Sequence, residues 1–173
     1  MLRRFSLASA LLVAGSIVAA TAPAMAGTST ANLSASASVT ANCTISTSAL
    51  SFGAYDPLSG NASSPLDGTG AVTITCTNGA SAVIMLGQGS NADTGSTDAA
   101  PLRRLKDAGT NYLSYSLYKD AGHATVWGNT AGSGLSQTGN GTAQTNTIYG
   151  RVTSGQNVSA GSYTDTVTAT VSF

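Results

Sequence analysis

Few residues of this chain have side chains that could carry out chemistry. Among its 173 residues there are two cysteines and one histidine, and the seven acidic residues are all Asp. His123 lies in a predicted turn, where we expect it to be solvated or bonded to the backbone, and no Gly-x-Ser-x-Gly motif accompanies it. A pair of catalytic carboxylates would need two Asp from separate loops. The sequence therefore predicts that the protein is not an enzyme.

Sites for metals and polyanions are not expected either. Asp93 and Asp98 lie in a stretch rich in Gly, Ser, Asn and Thr, but they lack the spacing of a calcium-binding loop. Arg103, Arg104 and Lys106 form the one basic cluster, and we expect them to lie in a solvated loop. We therefore predict no cofactor, no metal and no nucleic-acid partner.

The first 26 residues are typical of a secretory signal peptide. Two arginines precede an apolar run at residues 7–20, and Ala24-Met25-Ala26 is a small-x-small cleavage site. A membrane anchor is the alternative, but the run is shorter than the ~20 residues of a spanning helix. Cleavage would leave 147 residues, the length of one domain, with no stable membrane insertion.

Cys43 and Cys76 remain after this cleavage. A single pair of cysteines in an exported chain is typical of a disulfide bond, which would link the first strand of the domain to the next sheet. Two buried free thiols are the alternative. A metal site is not expected, because neither cysteine has a second Cys or a His at ligand spacing.

The stretch from Ala31 to Ser46 alternates strictly between apolar and polar residues, which places all its apolar side chains on one face of a strand. Its 16 residues would span about 53 Å, too long for one ordinary strand. We therefore predict that residues 27–41 are a donor strand that reaches into another molecule, and that the domain comprises residues 42–173. Its inserted side chains would be Ala31, Leu33, Ala35, Ala37 and Val39, of which the alanines are small for filling a deep groove.

The rest of the chain predicts an all-β sandwich. Seven or so short strand patterns are separated by Gly, Ser, Asn and Asp, including a hairpin signal at residues 120–123, and helical spacing is absent. The last pattern, residues 163–173, is interrupted only by Asp165. We expect one face of this unpartnered strand to carry Tyr163, Val167, Ala169, Val171 and Phe173.

An amphipathic strand at each end of the chain, one surplus and one without a partner, favours a sandwich that lacks one strand and receives it from a neighbour. An ordinary sandwich, whose own first strand is the N-terminal run, is the alternative.

Several segments resemble the spore coat protein U domain family. They are the start Asn42-Cys43-Thr44-Ile45, Leu50–Pro57, Val72–Thr77, and the ending Gly161–Val171, which matches the family pattern G-x-Y-x-D-x-v-x-v-x-v. The family includes subunits of archaic, Csu-type chaperone–usher pili of Gram-negative bacteria. The resemblance covers the mature chain and implies an incomplete immunoglobulin-like β-sandwich, missing its last strand, which the N-terminal donor strand of a neighbouring subunit completes.

The resemblance further implies identical or related pilin subunits, a periplasmic chaperone and an outer-membrane usher as partners. The chain would be exported through the periplasm to the cell surface and would serve attachment and biofilm formation as part of a fimbrium. Two other functions stay open: a secreted spore or cell-surface coat protein, and a carbohydrate-binding sandwich. The sugar platform of the latter would consist of Tyr112, Tyr115, Tyr118 and Trp127. Alternation, however, places Tyr115 on the opposite face of the strand from Tyr112 and Tyr118.

The alternation makes a prediction about facing. Because side chains alternate between the two faces of a strand, Leu33→Asp should block polymerisation, whereas Ser34→Asp should be tolerated. The lengths of the polymers that the two variants form, measured by electron microscopy, test this prediction. Equal effects of the two substitutions would contradict the assignment of the faces.

Overall fold

The computed structural model describes residues 23–173, and most of the predicted signal peptide lies outside them. The chain divides into one unit that ends at Ala37 and a second from Ser38 to Phe173. Residues 23–42 are exposed and have no regular secondary structure, so the long alternating pattern becomes a strand only at Cys43. Within residues 23–173, no helix has the length and hydropathy needed to cross a membrane.

The unit from Ser38 to Phe173 contains eight strands and one short helix. In chain order they are β1 (Cys43–Ser51), α1 (Gly60–Ser63), β2 (Leu66–Cys76), β3 (Ser81–Leu86), β4 (Arg103–Lys106), β5 (Tyr112–Tyr118), β6 (Leu135–Thr138), β7 (Ala143–Val152) and β8 (Ala169–Ser172). One antiparallel sheet has the order β1-β2-β7-β5-β4, and the other has the order β6-β3-β8. The predicted all-β sandwich is confirmed.

The core lies between the two sheets and follows from the period-2 pattern of the strands. Val72, Ile74 and Cys76 of β2 are buried, and the residues between them are more exposed. Ala82, Ile84 and Leu86 are the buried residues of β3 in the facing sheet. Burying a side chain as large as Leu or Ile contributes about 1.5–3 kcal/mol, so each strand is held by its inward face.

The predicted disulfide is confirmed. Cys43 of β1 and Cys76 of β2 lie directly opposite each other in the strand pairing, and their sulfur atoms are bonded. The expectation that the bond links the first strand to another sheet is wrong, because both cysteines belong to the five-stranded sheet. The bond instead fastens the edge strand β1 to its only partner in that sheet.

The expectation that the basic cluster is a solvated loop is wrong. Its residues form β4, and the Arg103 side chain is inside the sandwich, where it donates hydrogen bonds to the carbonyl groups of Leu86, Gly87 and Trp127. Burial lowers the pKa of the Arg103 guanidinium to about 10, so this group remains charged at neutral pH. The next residue, Arg104, points to the other side of the strand and pairs with Asp93 at 2.8 Å.

The hairpin predicted around residues 120–123 is present as a short bridge between Tyr118 and Val126. The expectation of a solvated or backbone-bonded His123 is wrong. Its side chain is only 9% exposed, and its ring contacts the rings of Tyr118 and Tyr149, with centroid distances of 5.1 and 6.3 Å. The backbone of His123 adopts a left-handed conformation (φ 54°), which sequence periodicity does not reveal.

The disulfide makes a prediction about stability. Because the bond restricts the unfolded chain and holds the edge strand in place, Cys43→Ser should lower the free energy of unfolding by about 2–4 kcal/mol. Denaturant unfolding of the variant and of the oxidised parent protein measures this difference. Titration of the denatured, unreduced parent should find no free thiol, and two reactive thiols per chain would contradict the bond.

Candidate functional site

An apolar groove runs along one side of the sandwich. One side of it, the β1 wall, is formed by residues 47–55, and the other, the C-terminal wall, by residues 157–169. The bottom, which we call the floor, consists of inward-facing side chains of the five-stranded sheet: Leu105, Leu113, Tyr115, Leu117, Ile148 and Val152. The groove therefore exposes part of the inner face that the three-stranded sheet leaves uncovered.

The C-terminal wall is hydrogen-bonded along one edge only. Thr164 exchanges two backbone hydrogen bonds with Lys106, the carbonyls of Thr166 and Thr168 accept from the loop after β3, and β8 pairs with β3. Backbone groups of successive strand residues point to opposite edges. Those of Asp165 and Val167 point away from β3 and have no backbone hydrogen-bond partner among the described residues.

The β1 wall has an unpaired edge as well. β1 is the outermost strand of its sheet and pairs with β2 alone. Its pairing is regular from Cys43 to Ser48 and becomes irregular before Ser51. The two free edges and the apolar floor together have the form of a sandwich in which one strand, next to β8, is missing.

Three glycines allow the β1 wall to lie close to the sheet. A Cβ atom at Gly70 would come within 2.9 Å of the Leu50 Cβ, and one at Gly150 would come within 2.8 Å of the Phe52 ring. Gly68 would approach the same ring to 3.0 Å. Leu50 and Phe52 can therefore pack onto bare backbone of β2 and β7, which places both side chains low in the groove.

The two walls are tied together at one end of the groove by Tyr55. Its hydroxyl donates to the Thr153 carbonyl and accepts a hydrogen bond from the Gln156 N–H, at 3.0 and 2.9 Å. Tyr55 is the last residue of the β1 wall, and Gln156 directly precedes the C-terminal wall. This contact sets the separation of the walls where the chain leaves the β1 wall and enters the C-terminal wall.

Asp165, which interrupts the apolar pattern, anchors the C-terminal wall. Its Oδ1 accepts hydrogen bonds from the backbone N–H groups of Ser90 and Asn91 and from the Asn91 side chain. Its Oδ2 accepts from the Tyr115 hydroxyl at 2.8 Å. Burial, and then the neighbouring Asp165 carboxylate, raises the pKa of the Tyr115 hydroxyl, which therefore stays protonated and acts as a donor. Both oxygens of this carboxylate thus accept hydrogen bonds from within the domain.

The structure brings together some of the C-terminal residues predicted from the sequence. Tyr163, Val167 and Ala169 line the groove. Val171 lies beyond it, where β8 pairs with β3, and Phe173 follows β8 with 55% of its surface exposed. The predicted continuous strand 163–173 is regular only over Ala169–Ser172, although odd-numbered residues from 163 to 171 are more buried than even-numbered ones.

The residues predicted to form a donor strand lie in the exposed segment that precedes β1. Leu33 and Val39 are 94% and 85% exposed, although both are large apolar side chains. Sequence reasoning missed the floor residues and the role of Asp165. The alternation in Leu50–Tyr55 was the signal for the β1 wall, whereas nothing in the sequence connects Asp165 to Tyr115, 50 residues away.

The proposed sugar platform is wrong. Trp127 is fully buried and donates its indole N–H to the Ile84 carbonyl, and Tyr115 belongs to the groove floor. Within residues 23–173 there is also no cluster of three or more His, Cys, Asp or Glu side chains arranged to hold a metal. Of the two aspartates considered for calcium, Asp98 accepts hydrogen bonds from Asn129 and Gln88, which lower the pKa of its carboxyl.

Comparison with known proteins identifies the family. The model of the Spore Coat Protein U domain matches residues 29–170. The chain belongs to the spore coat protein U domain family. Protein U of Myxococcus xanthus is 45% identical over 173 residues, a match that covers 96% of this chain and 97% of that protein.

A solved structure is similar to this spore coat U domain in fold. It is the CsuC–CsuE chaperone–tip adhesion subunit pre-assembly complex from archaic chaperone–usher Csu pili of Acinetobacter baumannii, with a TM-score of 0.55 and 22% identity. The match covers 78% of this chain but spans only 40% of the length of the matched chain. It confirms the immunoglobulin-like sandwich that the sequence resemblance implied.

The anchoring of the C-terminal wall can be tested at Asp165. Asp165→Ala removes the acceptor of four hydrogen bonds and leaves the Tyr115 hydroxyl and two backbone N–H groups without it, so we expect a loss of about 3 kcal/mol or more in unfolding free energy. Asp165→Asn keeps one oxygen acceptor and should lose less. Denaturant unfolding measures both variants, and an Asp165→Ala protein as stable as the parent would contradict the anchoring role.

Proposed function

We propose that the protein is a structural subunit of a surface polymer, in which residues 27–41 of one copy fill the groove of the next copy as a donor strand. The observation that supports this most strongly is the pair of free backbone edges on either side of an apolar floor. The chain also carries a segment that matches such a gap. In residues 31–41 every second side chain is apolar, so these side chains would share one face of a strand, and the two large ones, Leu33 and Val39, are exposed.

The groove and the donor strand complement each other in two ways. Insertion would remove Leu33 and Val39 from water, which contributes about 1.5–3 kcal/mol for each side chain. It would also give hydrogen-bond partners to the free backbone groups of Asp165 and Val167. The inserted strand would become the fourth strand of the three-stranded sheet, beside β8, and would close the sandwich over its floor.

We propose a donor strand that is parallel to β1, the direction that excludes insertion into its own groove. The walls run antiparallel, because residues 47–49 lie at the same end as Ala169, and residues 53–55 lie at the same end as residues 157–162. A donor antiparallel to β1 could come from the same chain through a tight hairpin at residues 40–42. A donor parallel to β1 could not, since a parallel connection needs a dozen or more residues. The parallel direction therefore requires a second copy and leads to an open, head-to-tail polymer.

Before assembly, the open groove must be covered by another molecule if the subunit is to stay soluble. An unpaired edge above apolar side chains pairs readily with other chains and aggregates. The fold neighbour from Acinetobacter baumannii is a subunit in a pre-assembly complex with a chaperone. By analogy we propose that a periplasmic chaperone fills the groove and that an outer-membrane usher assembles the subunits. We further propose that residues 1–26 are cleaved during export. The mature protein would then be displayed on the surface of a Gram-negative cell as a non-enzymatic fimbrial subunit for attachment and biofilm formation.

A coat protein is the second candidate, and the matched family model, which describes a spore coat protein domain, favours it. This model covers residues 29–170, whereas the pilus complex is similar in fold at only 22% identity. The same head-to-tail polymer could line a spore or cell surface. Immunogold electron microscopy of the producing cells distinguishes the two, because a pilus gives labelled filaments and a coat gives a continuous labelled layer.

Strand donation predicts how three variants of the mature chain behave. The intact chain should form polymers, and the chain without residues 27–41 should aggregate or be degraded. A third variant carries these residues after Phe173 through a short flexible linker. Because a hairpin there leads back antiparallel to the C-terminal wall, this variant should fill its own groove and be a soluble monomer with a higher melting temperature.

Size-exclusion chromatography and thermal melting of the three variants provide the measurement. A second appended variant, with Leu33→Asp in the moved segment, is the control for the effect of added length alone, and it should not be stabilised. If the plain deletion is monomeric and melts as high as the appended variant, the domain completes itself and strand donation is wrong.

A further inference from the structure

We propose that the groove contains a neck, formed by Leu50, Phe52, Leu105 and Asp165, that selects the donor strand by size and sets its register. This inference rests on the proposed strand donation. In it, Ala35 and Ala37 pass through the neck, and the larger side chains Leu33 and Val39 lie on either side. The occupant is thus residues 31–41 of a second copy, held in one register.

The groove consists of two cavities rather than one. The cavity toward Tyr55 has a volume of about 840 Å³, and the cavity toward Ala169 has a volume of about 360 Å³. The four neck residues line both cavities, and they come from both walls and from the floor. They therefore mark the place where the two cavities meet, and a donor strand that fills the whole groove must cross it.

Side-chain contacts continue across the groove beneath the neck. The Phe52 ring on the β1 wall packs edge to face against Tyr115, with a centroid distance of 5.7 Å. The Tyr115 hydroxyl then donates to Asp165 on the C-terminal wall at 2.8 Å. These contacts form one bridge from wall to wall, and Tyr115 in its centre is only 6% exposed.

The bridge has little freedom to move aside. A Cβ atom on Gly68 or Gly150 would lie 2.8–3.0 Å from the Phe52 ring, so the ring already rests on the backbone of β2 and β7 and cannot sink further. Three N–H groups from Ser90 and Asn91 hold the Asp165 carboxylate in place. A large side chain inserted at this level would have to displace packed groups, which is the usual cost of overpacking.

The donor strand has the complementary sequence of side-chain sizes. Its inward face between the two large residues reads Leu33, Ala35, Ala37, Val39. Ala35 and Ala37 are two residues apart, as are Leu50 and Phe52 on the β1 wall. With the donor parallel to β1, Ala35 lies beside Leu50 and Ala37 beside Phe52, so that Leu33 enters the smaller cavity and Val39 the larger. The small alanines thus lie at the level where the two cavities meet.

The experiment uses the full mature chain and substitutes only its exposed extension, which lies before the first strand. Ala35→Leu and Ala37→Leu should make the polymers dissociate in SDS about tenfold faster or more, because each would overpack the neck. Ala41→Leu is the matched control. It is the same substitution on the same face, but it lies beyond Val39 in the larger cavity and should leave the rate unchanged or lower it.

A compensating substitution tests the neck itself. In a chain with Phe52→Ala, the added Ala37→Leu should no longer accelerate dissociation, because the space left by the ring accepts the new side chain. Phe52→Leu provides a milder version in case the alanine variant does not fold, and it should reduce the effect of Ala37→Leu in part. The rates of the single and double variants form a cycle that isolates the contact between the two positions.

The outcomes separate the neck from strand donation. If the parent chain forms no SDS-resistant polymer, strand donation fails and the neck fails with it. If the parent polymerises but Ala35→Leu and Ala37→Leu dissociate no faster than Ala41→Leu, the neck alone is wrong. The same holds if Ala37→Leu is equally harmful with and without the Phe52 ring.

Discussion

The unpaired backbone edge of the C-terminal wall is the constraint on which the rest of the structure depends. Thr164, Thr166 and Thr168 use their backbone groups toward β4 and the loop after β3, which leaves Asp165 and Val167 with groups directed at an empty position. A strand edge with free backbone groups beside apolar side chains is a template for pairing with another strand. The two walls of the groove hold this edge in position.

Three contacts hold the walls of the groove in place. The disulfide fastens β1 at one end, the Tyr55 hydroxyl ties the walls at the other, and Asp165 holds the middle. The disulfide acts on the β1 edge, Asp165 acts on the C-terminal wall, and Tyr55 connects the two. In the proposed strand donation, walls that are already in position lower the entropic cost of accepting the incoming strand.

The buried Arg103 gives the second sheet its connection to the first. Its guanidinium lies in the core with hydrogen bonds to three carbonyl groups near the end of β3 and at Trp127. Burying a cation is costly unless its donors are bonded; Nε and Nη2 of Arg103 donate all three of these bonds, whereas Nη1 is buried without a partner among the described residues. This network positions the end of β3, and through Gly87 and Ser90 the same segment carries the hydrogen bonds of the C-terminal wall.

The sequence by itself determined the features that depend on local periodicity and composition: the all-β class, the disulfide pair and the alternation of burial along residues 163–171. These follow from side chains that alternate along one strand, so no distant contact is needed to infer them. Tertiary structure decided what depends on which strands become neighbours. It placed Arg103 inside the sandwich and packed His123 against Tyr118 and Tyr149 on the outer face of the five-stranded sheet, although their local sequences are polar. It also brought Tyr115 into contact with both Asp165 and Phe52. The reason is physical: periodicity shows which way a side chain faces, whereas packing between sheets decides what it meets there.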